Sequence, residues 1–344
     1  MLDFYKGKNI FVTGHTGFKG SWLSKMLVMA GANVTGFSLA PETEPNLFEI
    51  SQVSKDMNSV IGDVRDKDAL MKAFKEAQPE LVIHMAAQPL VRDSYQRPAY
   101  TYETNVMGTV NLLECVRRTN CVKSFLNVTT DKVYENVETE RGYIESDKLD
   151  GYDPYSNSKS CSELVTHSYK KSFLNDAGIA VSTARAGNVI GGGDFSKDRI
   201  IPDCVKAAVN GESIIVRNPD AVRPFQLVLD PLFAYLLIVQ KQYEDPSKSG
   251  YYNVGPDDSD CVHVRELTDM FCEAWGDGLK WENRSDGGPH EAGLLKLDCA
   301  KIKKDLGWQP RYNIKTAIEK TVEWSKAYYG GEDIIKVMEK QIND

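Results

Sequence analysis

The 344-residue sequence lacks the patterns that predict metal sites, disulfide frameworks and membrane spans. Its seven cysteines are scattered, no two have Cys-x-x-Cys spacing, and only five histidines accompany them. We therefore expect reduced cysteines packed as small apolar residues, and no metal site. No apolar run is long enough to cross a bilayer, and the first residues lack the apolar segment of a secretory signal. These absences predict a cytoplasmic protein without a membrane anchor.

An excess of positive charge is also missing. The formal net charge of −8 argues against nucleic acid or a membrane surface as a partner. A hydrophobic fraction of 42% and a charged fraction of 26% are ordinary for a globular protein. The length suits one large α/β domain, or one such domain with a smaller companion.

The first half of the chain alternates short apolar runs with amphipathic stretches. The predicted strands are Asn9–Thr13, Asn33–Ser38, a strand that includes Val60 and Ile61, Leu81–His84, Ser124–Val128 and Ile179–Ala184, and the predicted helices include Trp22–Ala30 and Asp66–Ala77. Continuous apolar strands separated by helices predict a Rossmann-type, doubly wound parallel sheet with helices on both faces.

Beyond residue 190 glycine and proline become frequent, and short helices alternate with loops. We interpret residues 1–190 as a Rossmann domain and residues 191–344 as mainly a smaller, substrate-binding lobe. Gln226–Val239 has the pattern of a strand and a helix, so residues 226–255 are expected to return to the first domain.

A glycine-rich turn follows the first predicted strand, with glycines at Gly14, Gly17 and Gly20. Glycine allows the tight turn and lets backbone N–H groups approach a diphosphate at the start of the next helix. A glycine triplet alone is also compatible with an ordinary turn. Its position at the first strand–helix junction favours dinucleotide binding.

The acidic residue that usually ends the second strand and binds the ribose is missing. Ser38 and Leu39 occupy that region, with neither an acid nor an arginine for a 2′-phosphate, so this position leaves NAD and NADP open. Asp63, after the third strand, has two interpretations: it accepts a hydrogen bond from the adenine amino group, or it caps the following helix.

Tyr155 and Lys159 are spaced so that they share one face of a helix. A lysine ammonium beside a tyrosine favours the phenolate, which can then act as a base near neutral pH. The pair alone is common by chance. Thr130, Asp131 and Lys132 strengthen it, because they follow a predicted strand whose carboxyl end lines the crevice of a doubly wound sheet.

The three strand-end residues extend the chemistry beyond alcohol oxidation. Thr130 can hydrogen-bond the reacting hydroxyl, while Asp131 and Lys132 add two proton-transfer groups. Elimination of water needs an acid for the departing hydroxyl and help in removing a proton from the carbon beside a ketone. The alternative is a turn with solvated charges.

On these residues the chain resembles the CDP-glucose 4,6-dehydratases of the extended short-chain dehydrogenase/reductase superfamily. The resemblance runs nearly end to end, over residues 14–23, 84–92, 130–136, 185–194, 252–256, 289–292 and 306–310. The lysine of Thr130-Asp131-Lys132 is typical of the CDP-glucose group. Related dehydratases that act on other nucleotide sugars usually have glutamate at this position. Phe225 and Leu227 depart from the family, which more often has Trp and His there.

The resemblance implies tightly held NAD, CDP-glucose as substrate and a homodimer or homotetramer that associates through sheet-domain helices. By position it assigns to NAD binding the residues Gly14, Gly17, Phe18, Lys19, Gly20, Ser38, Asp63, Val64, Ala86, Ala87, Gln88, Asn105, Thr129, Tyr155 and Lys159. It assigns to the substrate Gln88, Asn188, Arg199, Arg223 and His290. The catalytic set is Thr130, Asp131, Lys132, Tyr155 and Lys159.

Two other hypotheses remain open from the sequence. One is a related enzyme, either a dehydratase for another nucleotide or an epimerase. The other is a non-catalytic NAD-binding scaffold, because a fold does not fix a function.

Overall fold

A computed structural model describes residues 1–284 and 294–344. The strands are β1 (Asn9–Thr13), β2 (Asn33–Ser38), β3 (Asn58–Ile61), β4 (Leu81–His84), β5 (Ser124–Thr130), β6 (Ala180–Ala186), β7 (Val189–Ile190), β8 (Ile214–Val216), β9 (Val222–Pro224), β10 (Gln226–Leu227), β11 (Tyr251–Val254), β12 (Cys261–His263) and β13 (Trp281–Asn283). The helices are α1 (Phe18–Met29), α2 (Leu47–Ile50), α3 (Lys67–Ala77), α4 (Val91–Gln96), α5 (Pro98–Tyr102), α6 (Gly108–Arg117), α7 (Pro154–Tyr169), α8 (Ile200–Asn210), α9 (Leu229–Glu244), α10 (Val264–Trp275), α11 (Ala300–Leu306), α12 (Ile314–Tyr329) and α13 (Ile334–Asn343).

The described residues form a seven-stranded central sheet in the order β11-β6-β5-β4-β1-β2-β3, with every neighbouring pair parallel. The predicted Rossmann-type fold is confirmed. Strand order reverses at β1, which pairs with β2 on one side and β4 on the other. Connections therefore leave in opposite directions there, and a crevice opens at the carboxyl ends of the strands.

Both faces of the sheet are covered, which explains the continuous apolar strands. Along β1, Ile10 and Val12 face one apolar cluster and Phe11 faces another. The predicted bounds of β1, β2 and β4 are confirmed. β5 is two residues longer than predicted, because Thr129 and Thr130 still pair with β6 and are buried.

Two predicted element starts need correction. Helix α1 begins at Phe18, with Gly17 as its N-cap, and not at Trp22. Of the two interpretations of Asp63, the helix cap is wrong: Asp66 is the N-cap of α3, accepting hydrogen bonds from Asp68 N and Ala69 N at 3.1 and 3.0 Å.

The return to the sheet also differs from the prediction. Gln226–Leu227 forms β10, which pairs with β7 outside the central sheet. Helix α9 does pack on the sheet, where Val239 O accepts a hydrogen bond from Ser124 Oγ at 3.0 Å. The strand that joins the sheet is β11, paired with β6.

No helix within the described ranges is long and apolar enough to span a membrane. The same residues contain no cluster of three or more His, Cys, Asp or Glu side chains suited to a metal ion.

A buried carboxylate ties α7 to two strands. Glu163 accepts hydrogen bonds from Thr129 Oγ1 at 2.5 Å on β5, and from Thr183 Oγ1 at 2.8 Å and Arg185 Nη2 at 2.9 Å on β6. The side chains of Glu163 and Arg185 are 1% and 3% exposed. Arg185 Nη1 also donates to Tyr134 Oη at 2.8 Å. This network fixes helix α7 against the carboxyl end of β5.

Removing the arginine should destabilise the protein strongly, because Glu163 would remain buried without its cation. We expect Arg185→Met to lower the free energy of unfolding by about 3–5 kcal/mol in urea titrations. Lys340→Met is the matched control: it breaks the exposed pair with Glu323 (62% and 41% exposed) and should leave the free energy of unfolding close to the wild-type value. Equal losses in the two variants would contradict this account.

Candidate active site

Two adjoining clefts open at the carboxyl edge of the sheet. A wide cleft of about 950 Å³ lies between the ends of β5 and β6 and the segments around α8 and β9. A narrow cleft of about 230 Å³ follows the glycine turn. Phe18, Lys19 and Arg199 line both clefts.

Most residues singled out from the sequence lie on these walls. The narrow cleft is lined by Gly14, Gly17, Gly20, Ser38, Asp63, Val64, Ala86 and Ala87, in addition to the shared residues. The wide cleft is lined by Thr129, Thr130, Asp131, Lys132, Tyr155, Asn188 and Arg223. Gln88, Asn105 and Lys159 are not on the walls of either cleft. His290 lies outside the described residues.

The glycine turn is shaped for close approach of a backbone or a ligand. Gly14 has φ +77°, and a Cβ there would lie 2.8 Å from Ala86 N. A Cβ on Gly20 would lie 2.0 Å from Gly14 O. The first N–H groups of α1 have no partner within the helix, since helical bonding starts with Ser21 N to Gly17 O at 2.8 Å. Such N–H groups suit the diphosphate of a dinucleotide.

The narrow cleft also contains an acid that gave no sequence signal. Glu42 lines this cleft four residues beyond the end of β2, so its distance along the chain hid it. Asp63 lies on the same cleft, and its carboxylate accepts from Arg65 Nη2 at 2.6 Å, which holds the pKa of Asp63 below its usual value. These acids suit hydroxyl and amino donors better than an additional phosphate.

Gln88 and Asn105 support the loop after β4 by hydrogen bonds and do not line either cleft. Gln88 N donates to Asn105 Oδ1 at 2.8 Å, and Asn105 Nδ2 donates back to Gln88 O at 3.1 Å. Gln88 Nε2 donates to Thr101 Oγ1 at 2.9 Å. Both side chains are buried. They therefore hold residues 86 and 87 in place on the narrow cleft.

The first turn of α7 places Tyr155 on the wide cleft. Asp153 caps the helix by accepting from Ser156 N at 3.0 Å, and Pro154 occupies the first helical position. One turn later, the Lys159 ammonium donates to Val128 O at 2.9 Å. Strand β5 and helix α7 are therefore in direct contact at the predicted catalytic pair.

The expected effect of Lys159 on Tyr155 is not found in the protein alone. Burial, with a contribution from Asp131, raises the pKa of Tyr155 to about 12, although the hydrogen bond with Thr130 and the charge of Arg199 act in the opposite direction. Burial and the neighbouring Lys19 lower the pKa of Lys159 itself to about 7. Lys159 is therefore only partly charged near neutral pH, so a phenolate at Tyr155 needs further positive charge from a ligand.

Asp131 has the environment of a proton donor. It is 1% exposed, Oδ1 accepts from Thr130 Oγ1 at 2.9 Å, and Oδ2 has no hydrogen-bond partner among the described residues. Burial raises the pKa of Asp131, against the opposing effects of Lys132, the Thr130 hydroxyl and Arg223. A carboxyl group with a raised pKa is partly protonated at higher pH and can act as a general acid.

The opposite wall of the wide cleft carries the predicted substrate residues. Arg199 precedes α8 and pairs with Asp194 at 3.0 Å. Arg223 lies on β9 and donates to Val222 O at 2.9 Å. Phe225, one of the departures from the family, is buried and lines this cleft. Cationic and aromatic groups together suit a nucleoside diphosphate.

Two further residues near the site gave no sequence signal. Glu163 is the buried carboxylate described above, and a helical glutamate is ordinary in a sequence. Tyr235, on α9, is fully buried with a hydroxyl that has no partner among the described residues. Burial, Tyr155 and Asp131 all raise the pKa of Tyr235. Only the packing of α9 on the sheet brings Tyr235 to the site.

Comparisons with known proteins agree with this geometry. Residues 11–321 match the family described as GDP-mannose 4,6 dehydratase. A CDP-glucose 4,6-dehydratase of Salmonella typhimurium is 47% identical over 100% of this chain and 98% of its own. A dTDP-glucose 4,6-dehydratase of Xanthomonas campestris is 27% identical over 91% of this chain and 92% of its own.

Solved structures show the same fold. A UDP-glucose 4-epimerase from Thermus thermophilus in complex with NAD has a TM-score of 0.80 and 25% identity, covering 92% of this chain and 98% of its own. A dTDP-glucose 4,6-dehydratase from Bacillus anthracis in complex with NAD has a TM-score of 0.79 and 22% identity, covering 96% and 100%. The chain therefore belongs to the GDP-mannose 4,6 dehydratase family, within the epimerase and dehydratase branch of the short-chain dehydrogenase/reductase proteins.

Proposed function

We propose that the protein is a CDP-glucose 4,6-dehydratase, a hydro-lyase that converts CDP-glucose to CDP-4-keto-6-deoxyglucose and water with bound NAD. The observation that carries the proposal is the position of Asp131. Its buried carboxyl group lies beside Thr130 and on the same cleft as Tyr155, and this proximity supports its role as the acid of an elimination that follows alcohol oxidation. The extensive similarity to a CDP-glucose 4,6-dehydratase supports the substrate.

The narrow cleft fits NAD. The glycine turn offers free N–H groups to a diphosphate, and no side chain could be added at Gly14 or Gly20 without a clash. Glu42 and Asp63 line the same cleft and suit the hydroxyl and amino groups of an adenosine. When bound, NAD supplies oxidation of the sugar at C4 and, after elimination, reduction at C6, so that its own oxidation state is restored.

Tyr155 and Thr130 serve the first half of the reaction. Tyr155 accepts the proton of the O4 hydroxyl, and Thr130 holds that hydroxyl by a hydrogen bond. The high pKa of Tyr155 in the protein alone falls when positive charge enters the site. Lys159 contributes by holding the end of β5 through Val128 O, in addition to its partial charge.

Asp131 and Lys132 serve elimination. The ketone at C4 makes the C5 proton acidic, and Lys132 assists its removal. Asp131 protonates the oxygen that leaves C6, so that water departs and not hydroxide. Asp131 is suited to this step because burial raises its pKa.

We also propose the division of labour between the two parts of the chain. Residues 1–190 hold the cofactor, and residues 191–344 mainly hold the nucleotide through Arg199 and Arg223, together with Asn188 from the end of the first part. We further propose a cytoplasmic location and self-association as a homodimer or homotetramer, and light scattering of the purified protein tests the association.

The function is tested by incubating the purified protein with CDP-glucose and following the product by mass spectrometry. We expect loss of one water and a 4-keto product. A panel with UDP-, dTDP- and GDP-sugars should give slower turnover. Interconversion of epimers without a change of mass would identify an epimerase instead, and no conversion of any sugar would favour a scaffold.

Tyr155→Phe should abolish turnover while NAD stays bound, because only the phenolic oxygen is removed. Turnover is measured by product formation, and NAD is measured after denaturing the protein. Tyr152→Phe is the matched control, since Tyr152 is 82% exposed nearby and should retain full activity. Near-normal turnover of Tyr155→Phe would overturn the assignment of the base.

Asp131→Asn and Lys132→Met should impair elimination more than oxidation at C4. General acid–base assistance contributes about 10²–10⁴-fold, so we expect losses of that order in water release. In single-turnover experiments the absorbance of reduced cofactor should rise and persist. Wild-type rates of both C5 exchange with deuterated solvent and water loss in Lys132→Met would exclude the lysine from the mechanism.

The protein should bind NAD in preference to NADP. Among the residues that line the narrow cleft in the described structure, the cations are Lys19 and Arg199, at the end shared with the wide cleft, whereas Glu42 would repel a 2′-phosphate. Direct titration of cofactor-free protein with each dinucleotide measures the preference. Tighter binding of NADP would refute it.

A further inference from the structure

Lys19 is placed where a lysine is unfavourable on three counts. It is the second residue of α1, and the positive end of a helix dipole disfavours cations. Enclosure by the protein and the nearby Arg199 lower the pKa of Lys19 to about 8, with Asp131 acting in the opposite direction. Lys19 in turn helps to lower the pKa of Lys159.

The protein itself offers little compensation. Within the part of the chain that the structure describes, the Lys19 ammonium makes no hydrogen bond or ion pair, and its ring contact is Tyr235 at 6.0 Å from the centroid. Arg199 has Asp194, and Lys159 has Val128 O. Of these three cations, Lys19 is the one whose charge is left for a ligand.

The surroundings of Lys19 are those of the reacting groups. It lies within electrostatic reach of Asp131, the proposed acid, and of Lys159, the partner of Tyr155. Unpartnered polar atoms collect here, namely Asp131 Oδ2 and the Tyr235 hydroxyl. The backbone N–H groups of the glycine turn already serve a dinucleotide diphosphate, so the side chain of Lys19 is available to the other ligand, in the wide cleft that it also lines.

Resting on the proposed function, we propose that Lys19 is a catalytic residue of the elimination step: its ammonium group contacts the sugar in the wide cleft and stabilises the negative charge that develops there. When the C5–H bond breaks, its proton goes to the base and its electron pair forms a C4–C5 double bond, leaving the charge on O4. The charge on O4 then re-forms the C4 carbonyl, and the electron pair of the C4–C5 double bond forms a double bond between C5 and C6. The C6–O bond breaks, and Asp131 gives its proton to the departing oxygen, so that water leaves.

A cation placed for this charge acts mainly in the transition state, and this gives the role a distinct kinetic signature. Removing one such preorganised electrostatic group typically lowers kcat by about 10²–10³-fold. Binding of the ground-state nucleotide should change little. If Lys19 instead bound a diphosphate, its removal would raise KM and weaken CDP binding. If it served only the cofactor, its removal would lower the NAD content.

The test compares Lys19→Met, which keeps the length and removes the charge, with Lys19→Arg, which keeps the charge. Wild-type turnover of CDP-glucose is measured first, so that a wrong proposed function is recognised separately. For Lys19→Met we expect normal NAD content, CDP affinity within about threefold of wild type and a kcat reduced by about 10²–10³-fold, with slowed C5 exchange in deuterated solvent. Lys19→Arg should recover most of the rate.

Lys72→Met is the matched control, because it removes an exposed cation of helix α3 that lines neither cleft. Its kcat should stay at the wild-type value. If Lys19→Met keeps its kcat, or if its loss lies in CDP affinity or NAD content alone, the proposal is wrong. If Lys19→Met does not fold by circular dichroism, Lys19→Gln is measured against the same expectations.

Discussion

The buried carboxylate of Glu163 is the constraint on which the rest of the site depends. It binds Thr129 on β5 and both Thr183 and Arg185 on β6, and so fixes the rotation of α7 against the sheet. Tyr155 lies two helical turns before Glu163 on the same face, and Thr130 follows Thr129 directly. The distance between the base and the strand-end residues is thereby set by hydrogen bonds to this buried carboxylate.

Near helix α7 and the end of β5, the protein brings ionisable groups together although burial and like charges disfavour their charged forms. Arg199 lowers the pKa of Lys19 and of Tyr155, and Lys19 lowers the pKa of Lys159, while burial disfavours the charged form of Asp131. Strongly perturbed groups that gather in a cleft are typical of functional sites. The arrangement makes chemical sense once an anionic nucleotide sugar is bound, because the anion neutralises the cations and the raised pKa keeps an acid ready.

The sequence predicted the sheet well because its signals are local. Each signal consists of residues that are close in the sequence: the apolar runs, the glycine spacing and the Tyr-x-x-x-Lys pair. The strands β1, β2 and β4 accordingly have the predicted bounds. β5 ended later than predicted because pairing with β6, a long-range contact, extended it.

The rest of the site could not be predicted because it depends on tertiary packing. The sequence placed Lys19 with the cofactor turn, but only the fold shows that it also faces the wide cleft. Glu42 and Tyr235 reach the site from a loop and a distant helix, without any motif. The expected lowering of the pKa of Tyr155 failed because burial outweighs a lysine that is itself only partly charged.

The central claim is that one site oxidises C4, eliminates water and reduces C6 without releasing the substrate or the cofactor. The most direct measurement mixes two substrates in ordinary water. One is CDP-glucose with deuterium at C4, and the other is CDP-glucose without deuterium that carries a heavy-carbon tag. Deuterium should be found at C6 of the same molecules that carried it at C4, with none on the tagged product. Deuterium on the tagged product, in the solvent or again at C4 would contradict it.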